Sequence, residues 1–286
     1  MPDIWLATYA GCPDGCTDGR PIDRAFKDLD VDAQWAVWDD PDVDWAAAPL
    51  VAVRSIWDYQ TRHAEFLGWA ARVDAVTTLV NPLAVLRWNS HKGYLAELPA
   101  LGVPTVPTYT VPAGAGPTMS AVEPLVVKPA VGASGVGVRI LPRGEAVCGD
   151  DVDLVVQPLV ESVRTEGERS VYVINGVPVA AAVKRPARGE IRVHEEYGGE
   201  TLPDALTPET TELAVGALRA VEERFGVRLP YARADLMRLD DGAQVLSELE
   251  LVEPGLYAEV LPSVPVAYAA GMAAVLQAAK KDRDAT

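Results

Sequence analysis

Val126-Val127-Lys128-Pro129-Ala130-Val131-Gly132-Ala133-Ser134-Gly135-Val136-Gly137-Val138 decides how this chain folds. An apolar strand ends on a lysine, a loop of small residues follows, and a strand resumes at Val138-Arg139-Ile140. Glycines let backbone N–H groups approach an anion closely, and a hydroxyl such as that of Ser134 adds a donor. Lysine supplies a point charge for phosphate. The segment lacks the Gly-Lys-Ser/Thr that opens a helix in a P-loop, and it is not a dinucleotide-binding turn. A strand–loop–strand flap over phosphates is a different device, and it fits; an ordinary glycine hairpin is the competing reading.

Working outward, a second constellation is acidic. Asp235 begins one strand, and Ser247-Glu248-Leu249-Glu250 lies on its partner across Asp240-Asp241-Gly242. Alternation puts Glu248 and Glu250 on one face and Leu249 on the other. Such a group of carboxylates calls for a cation, and magnesium favours a few carboxylates plus nucleotide phosphates; a solvated strand face is the alternative. Third, Leu154-Val155-Val156-Gln157-Pro158-Leu159 is an apolar strand stiffened at its end, able to offer backbone groups to a base edge. Glu166-Gly167-Glu168 follows with acceptors for ribose hydroxyls, against a plain strand and loop. Fourth, Lys184, Arg185, Arg188 and Arg192 form a local basic excess before Gly198-Gly199, suited to developing negative charge or else simply solvated.

The ends of the chain complete the organisation. Strands at Ile4–Tyr9, Gln34–Trp38 and Leu50–Val53 alternate with helical signal near Asp23–Leu29 and over residues 61–73, and Val80-Asn81-Pro82 closes the unit. That alternation predicts a parallel sheet, with ligand groups at the carboxyl ends of its strands. Arg54 sits at one such end. Beyond it the pattern predicts a helix over Ser90–Leu98 and a strand over Val106–Val111. A hairpin at Asn175-Gly176, a long helix over Thr207–Phe225 and a final helix over Pro265–Lys280 follow, with a frayed tail from Lys281 to Thr286.

Composition bounds the class. The chain has 286 residues, 49% hydrophobic and 23% charged, as a globular protein of more than one small domain has. With 25 basic and 41 acidic residues its net charge is −16, which excludes the basic stripe of a nucleic-acid binder and is read first as solubility. A triphosphate ligand would need local lysines and a metal to reverse that field. Cys12, Cys16 and Cys148 form no even framework, and the opening Met1-Pro2-Asp3 carries no basic, apolar leader. Free thiols, a reducing cytoplasmic setting and no membrane span are therefore expected. Cys12 and Cys16 lack a second Cys/His pair to complete a metal site.

Taken in order, Lys92, Lys128-Pro129, the glycine loop, Gln157-Pro158-Leu159, Glu166-Gly167-Glu168, Arg192, Gly198-Gly199, Asp235 and Glu248-Leu249-Glu250 resemble the ATP-grasp superfamily, glutathione-synthetase-like branch. The resemblance covers about residues 86–275. It implies an α+β fold whose two subdomains clasp ATP, behind a small α/β parallel-sheet domain. The expected division is 1–88 and 89–286, the latter split near 156/157. It also implies roles. Lys92 and Lys128 would contact ATP phosphates under the flap Gly132, Ser134, Gly135, Val136, Gly137. Gln157, Pro158 and Leu159 would hold adenine, and Glu168, with Glu166 near it, the ribose. Asp235, Glu248 and Glu250 would hold Mg²⁺, two ions being expected and Mn²⁺ a substitute. The third ligand is commonly Asn in the family and is Glu250 here. Lys184 and Arg192 would face an acyl phosphate.

A narrower resemblance rests on Arg54-Ser55-x-Trp57-Asp58-Tyr59, Asn81-Pro82, Leu86-Arg87-Trp88-Asn89-x-x-Lys92-x-Tyr94-Leu95, Gly189-Glu190-Ile191-Arg192-Val193 and Tyr197-Gly198-Gly199. These look like the subgroup containing the cycloserine-pathway O-ureido-serine cyclo-ligase. It implies that Arg54, Ser55, Arg192, Gly198 and Gly199 meet a small carboxylate substrate. The expectation is an ADP-forming ligase that activates an amino-acid-like carboxylate for attack by nitrogen, in the same molecule or a second one. A non-catalytic ATP-binding regulator is the reading from another class, and a homodimer suits the size.

Overall fold

The structure, a computed structural model, describes residues 1–117, 119, 120 and 122–284. Ala285 and Thr286, in the tail expected to fray, lie outside the described residues. The apolar runs near the N-terminus form β1 (Ile4–Thr8), β2 (Ala33–Val37), β3 (Leu50–Ser55) and β4 (Thr78–Val80). They pair in parallel in the order β2-β1-β3-β4. β3 is buried throughout, as a strand covered on both faces must be. Helices α1 (Cys16–Asp28) and α2 (His63–Asp74) connect the strands. Chain order reverses between β1 and β3, so their carboxyl ends, with Tyr9, Trp57 and Tyr59 just beyond, make the crevice where such sheets bind ligands.

α1 begins well before the helical turn expected at Asp23. Gly19 and Pro21 argue against a helix interior, yet the helix runs through them, with Gly15 in the left-handed conformation at its start. The helix expected over Ser90–Leu98 is instead divided. α3 (Leu83–Asn89) ends, and α4 (Tyr94–Glu97) begins after a break in which the Lys92 amide donates to Ala130 O at 2.6 Å. That bond belongs to tertiary structure and has no local signal.

A second sheet is antiparallel, ordered β5-β10-β7-β8. It comprises β5 (Tyr109–Val111), β7 (Leu125–Pro129), β8 (Arg139–Leu141) and β10 (Leu154–Pro158), with the short pair β6 (Met119–Ser120) and β9 (Ala146–Val147) beside it. The strand expected from Val106 shrinks to β5 because Pro107 lacks a donor for the ladder. After the short α5 (Ser162–Thr165) a third sheet follows in the order β13-β12-β11-β14-β15. Its strands are β11 (Glu168–Ile174), β12 (Val177–Arg185), β13 (Glu200–Asp204), β14 (Tyr231–Arg238) and β15 (Gln244–Glu250). β13 was hidden by Pro203, which an edge strand tolerates.

Two helices cover the third sheet. α6 (Pro208–Phe225) starts at a Thr207 capping box and buries Ala214, Ala217, Leu218 and Val221. α7 (Ser263–Asp284) packs on α1. One apolar cluster joins Ile4, Leu6 and Leu50 of the first sheet to Tyr172, Tyr231, Tyr268 and Met272. The first and third sheets therefore share a core.

β15 lies at the edge of its sheet, where unpaired N–H and C=O groups would otherwise stay open. Side chains close them. Tyr94 Oη accepts from Leu249 N at 2.7 Å and donates to Leu249 O at 3.0 Å. Asn89 donates to Leu249 O and accepts from Leu251 N. Asn81 donates to Leu251 O at 2.8 Å and to Tyr231 O at 3.3 Å. These three polar side chains brace the strand that carries Glu248 and Glu250.

Candidate active site

A cleft of about 750 Å³ opens between the second and third sheets and reaches the carboxyl ends of β1 and β3. Its floor follows from strand register. On β14 and β15, Asp235 stands opposite Glu248 and Arg233 opposite Glu250. On the other side of β14, Ser170 faces Asp235, and on β11 and β12 Glu168 faces Lys184. Period-two alternation places these groups on the same face, while Leu249 on the opposite face enters the core.

The floor is internally neutralised. Lys184 pairs with Asp235 at 2.9 Å and Glu168 at 2.6 Å. Arg233 pairs with Asp235 at 2.9 Å and also with Glu250. Ser170 Oγ donates to Asp235 at 2.6 Å, and Lys92 pairs with Glu248. Burial opposes ionisation of Asp235, but Arg233 and Lys184 outweigh it and hold its carboxyl well below the usual range. Glu248 is lowered against burial by Lys92 and Lys128. Glu250 goes the other way, pushed up to about 6 by burial and by Asp235 and Glu248, against Arg233.

Lys128 is the exception. No hydrogen bond or ion pair reaches its ammonium among the described residues. Burial, with Lys92 nearby, pulls its pKa down although Glu248 opposes them. A half-buried ammonium without a partner, at the foot of a glycine loop, has the chemistry that suits an anion.

The loop between β7 and β8 lies over the cleft, with Gly132, Ser134, Gly135 and Val136 lining it. It meets the segment after β12. A Cβ on Gly135, whose φ is +71°, would stand 3.3 Å from both Arg192 Cδ and the Tyr197 ring. Arg192 stacks on Tyr197 with its guanidinium carbon 3.5 Å from the ring centroid, and pairs with Glu190 at 2.5 Å. Gly135→Ala is therefore expected to cost about 1 kcal/mol in backbone strain and to hold the loop away from Arg192. Its KM for nucleotide should rise several-fold with a smaller change in kcat, as initial-rate assays would show.

Gln157, Pro158, Leu159 and Glu168 also line the cleft. Gln157 donates to Thr108 Oγ1 at 2.9 Å and the Leu159 amide donates to Pro124 O, so both of these donors are engaged within the protein. Glu166 departs from expectation. It pairs with Arg169 and Arg238 outside the cleft lining. Gly137, Gly198 and Gly199 also lie outside the lining. A Cβ on Gly199 would stand 2.1 Å from Val193 O, so that glycine allows one backbone to pass close to another. Arg185 and Arg188 are exposed, and His194 lines the cleft.

Arg54 and Ser55, expected to meet substrate, are fully buried and outside the cleft lining. Arg54 donates twice to Pro254 O at 3.1 Å, stands 3.7 Å from Asp18 and stacks on Tyr268. Its bidentate geometry serves a backbone carbonyl rather than a substrate carboxylate. The thiols are corrected too. Cys12 and Cys16 are joined as a disulfide, with Cα atoms 5.4 Å apart where the chain turns into α1.

Arg233 and Glu253 line the cleft but carried no expectation. Alternation from Asp235 would have found Arg233, two residues back on the same strand. Glu253 follows the end of β15 and has no periodic signal.

Among the described residues, no three acidic, His or Cys side chains stand close enough to hold an ion as they are. Asp235, Glu248 and Glu250 fit a hard cation by donor type, all being carboxylates on paired strands, but each now faces a cationic side chain. The raised Glu250 gives this a pH signature. Between about 4.5 and 6 the folded state keeps a proton that the unfolded state has lost, so stability falls as pH rises through that window. A divalent cation competes with that proton. The gain in Tm on adding magnesium with ADP should thus be larger at pH 7.5 than at pH 5.5, which a thermal-shift series would measure.

The family described as D-cycloserine synthetase DcsG, N-terminal domain, matches residues 4–81. The chain is 32% identical over 268 residues to the cycloserine biosynthesis protein DcsG of Streptomyces lavendulae, covering 84% of this chain and 87% of that protein. The crystal structure of D-cycloserine synthetase DcsG is similar at a TM-score of 0.83 and 28% identity, over 96% of this chain and 99% of the other. A D-alanine–D-alanine ligase from Bacillus anthracis shares the fold, with a TM-score of 0.65 and 12% identity over 99% of each chain.

Proposed function

The chain belongs to the D-cycloserine synthetase family of ATP-grasp ligases, and from that premise we propose that it forms a carbon–nitrogen bond at the expense of ATP. The substrate we propose is an amino-acid-like carboxylate of the O-ureido-serine type. Its carboxylate attacks the γ-phosphoryl group, giving an acyl phosphate and ADP. The oxygen-bound nitrogen of the ureido group, closing a five-membered ring, or the amine of a second molecule then displaces phosphate and loses a proton; after ring closure, water takes the carbamoyl group off the ring nitrogen as carbon dioxide and ammonia. Ring closure within one molecule is preferred to joining two, because the relatives by sequence are cycloserine enzymes.

The observation that carries the reading is the unpaired ammonium of Lys128 beneath the glycine loop, facing the carboxylates of β14 and β15. Lys128 takes a phosphate oxygen, and Lys92 exchanges Glu248 for another. Asp235, Glu248 and Glu250 would hold Mg²⁺, which supplies charge neutralisation and alignment for phosphoryl transfer when bound. Arg233 and Lys184, buried on the floor, stabilise the negative charge that develops on the acyl oxygen. Arg192 and Tyr197 close over the loop and keep water from the activated acid. Gln157, Pro158 and Leu159 lie where the base would rest. Dependence on ATP supports the cytoplasm as the place of work.

Purified protein with ATP and magnesium should release ADP on adding O-ureido-serine, and hydroxylamine should divert the activated acid to a hydroxamate. ADP release with neither O-ureido-serine nor any member of a panel of amino acids and amines would refute the ligase reading and favour a nucleotide-binding regulator.

A further inference from the structure

Glu253 is buried to 9% exposure and lines the cleft. Every other carboxylate on the floor has a cationic side chain against it. Among the described residues no hydrogen bond or ion pair reaches that of Glu253. Its position is set from both sides. Val252 packs in the core cluster that joins Val51 and Val53 of β3 to Tyr59 and to Phe66 of α2, and Pro254 O accepts from Arg54. The β14–β15 ladder ends with the pair Arg233 and Glu250, so Glu253 lies beyond the strand register that gathers Asp235, Glu248 and Glu250. It lines the same cleft as Tyr9, Trp57 and Tyr59, which stand just beyond the carboxyl ends of β1 and β3.

The side chain is largely covered and its carboxylate opens only onto the cleft, so a ligand there is the group that can complete it. Burial, reinforced by Glu250 and Glu248, pushes Glu253 up to about 8, and Lys92 and Arg233 only partly oppose them. The nearby groups are therefore on balance acidic, and a cation would be welcome there. Trp57, Tyr59 and Tyr257 line the same cleft, and aromatic faces attract ammonium groups.

We propose that Glu253 binds the α-ammonium group of the amino-acid substrate, and so selects amino acids over their des-amino analogues. This rests on the ligase function proposed above. The carboxylate to be activated then points from the ammonium toward Arg233 and Lys184. Glu253 thus acts in binding, as a specificity residue, and not in the transfer itself.

The test compares O-ureido-serine with 3-(ureidooxy)propanoate, which lacks only the amino group, on wild type, Glu253→Gln and Glu253→Asp. The wild type should favour the amino acid strongly in kcat/KM. Glu253→Gln should raise its KM about tenfold or more, the loss of one charge-assisted contact, and leave the weak turnover of the des-amino acid unchanged. KM for ATP and Mn²⁺ affinity of the ADP complex, read by electron paramagnetic resonance, should stay within about twofold, as for a residue outside the metal and phosphate contacts. Glu253→Asp, which keeps the charge, should keep part of the preference and covers the case in which the Gln variant does not fold.

Equal loss on both acids, or weakened Mn²⁺ binding, would assign Glu253 to the fold or the metal and overturn the proposal. So would a wild type that forms ADP equally well with both acids, which leaves the ligase function standing. A wild type that forms ADP with neither acid nor any amino acid overturns the ligase function and the proposal together.

Discussion

Replacing Glu248 by Gln should lower the rate of ADP formation at saturating substrate by at least about a hundredfold, as removal of one preorganised charge contact in a transition state does. Glu248 stands opposite Asp235 in the ladder and is the partner of Lys92. Its oxygen is the hard donor proposed for magnesium, and an amide is a weaker one. The same substitution frees Lys92, so nucleotide binding without metal should persist or tighten while magnesium dependence shifts to higher concentration. Initial rates over a magnesium series, with calorimetric titration of ADP in its absence, would separate the two effects. Full turnover by the variant would remove Glu248 from the metal site.

The largest effect on stability is expected at Arg54. Arg54→Leu removes two hydrogen bonds to Pro254 O, the ion pair with buried Asp18 and the stacking on Tyr268. Breaking a buried charge pair by deleting one partner costs about 3–5 kcal/mol. Asp18 keeps its bonds from Leu256 N and Ala258 N, which holds the loss toward the lower end. The melting temperature should fall by roughly 6–12 °C for a chain of this size. The fraction of enzyme that stays folded at low temperature should keep a KM for the carboxylate near the wild-type value. A KM raised a hundredfold with an unchanged Tm would instead return Arg54 to the substrate.

The two residues show what is legible in a single chain. Glu248 announced itself through spacing: alternation with Glu250 and a hairpin to Asp235 leave few arrangements that do not gather carboxylates on one face. Lys128 was as plain, a charge at the end of an apolar strand before a glycine loop. Arg54 had an equally suggestive position at the end of a parallel strand, and its reading failed. Whether such a residue faces the crevice or the core depends on the loop 254–258, about two hundred residues away in the chain, and no local pattern records that. Glu166 and Glu168 illustrate the same limit over two positions. The first turns to Arg169 and Arg238, the second into the cleft against Lys184.

The sequence by itself determined most of the strands and helices, the hairpins at Asn175-Gly176 and Asp240-Asp241-Gly242, the glycine loop after Lys128 and the face on which Glu248 and Glu250 lie. These follow from periodicity and turn chemistry, which act over a few residues. Tertiary structure decided the rest. It divided the helix at Lys92 to make a bond to Ala130, braced β15 with Asn81, Asn89 and Tyr94, buried Arg54 and left Glu253 without a partner at the crevice. Each of those outcomes is a pairing of polar groups from distant parts of the chain. Burial makes such pairings obligatory, but only the packing of the sheets selects the partner.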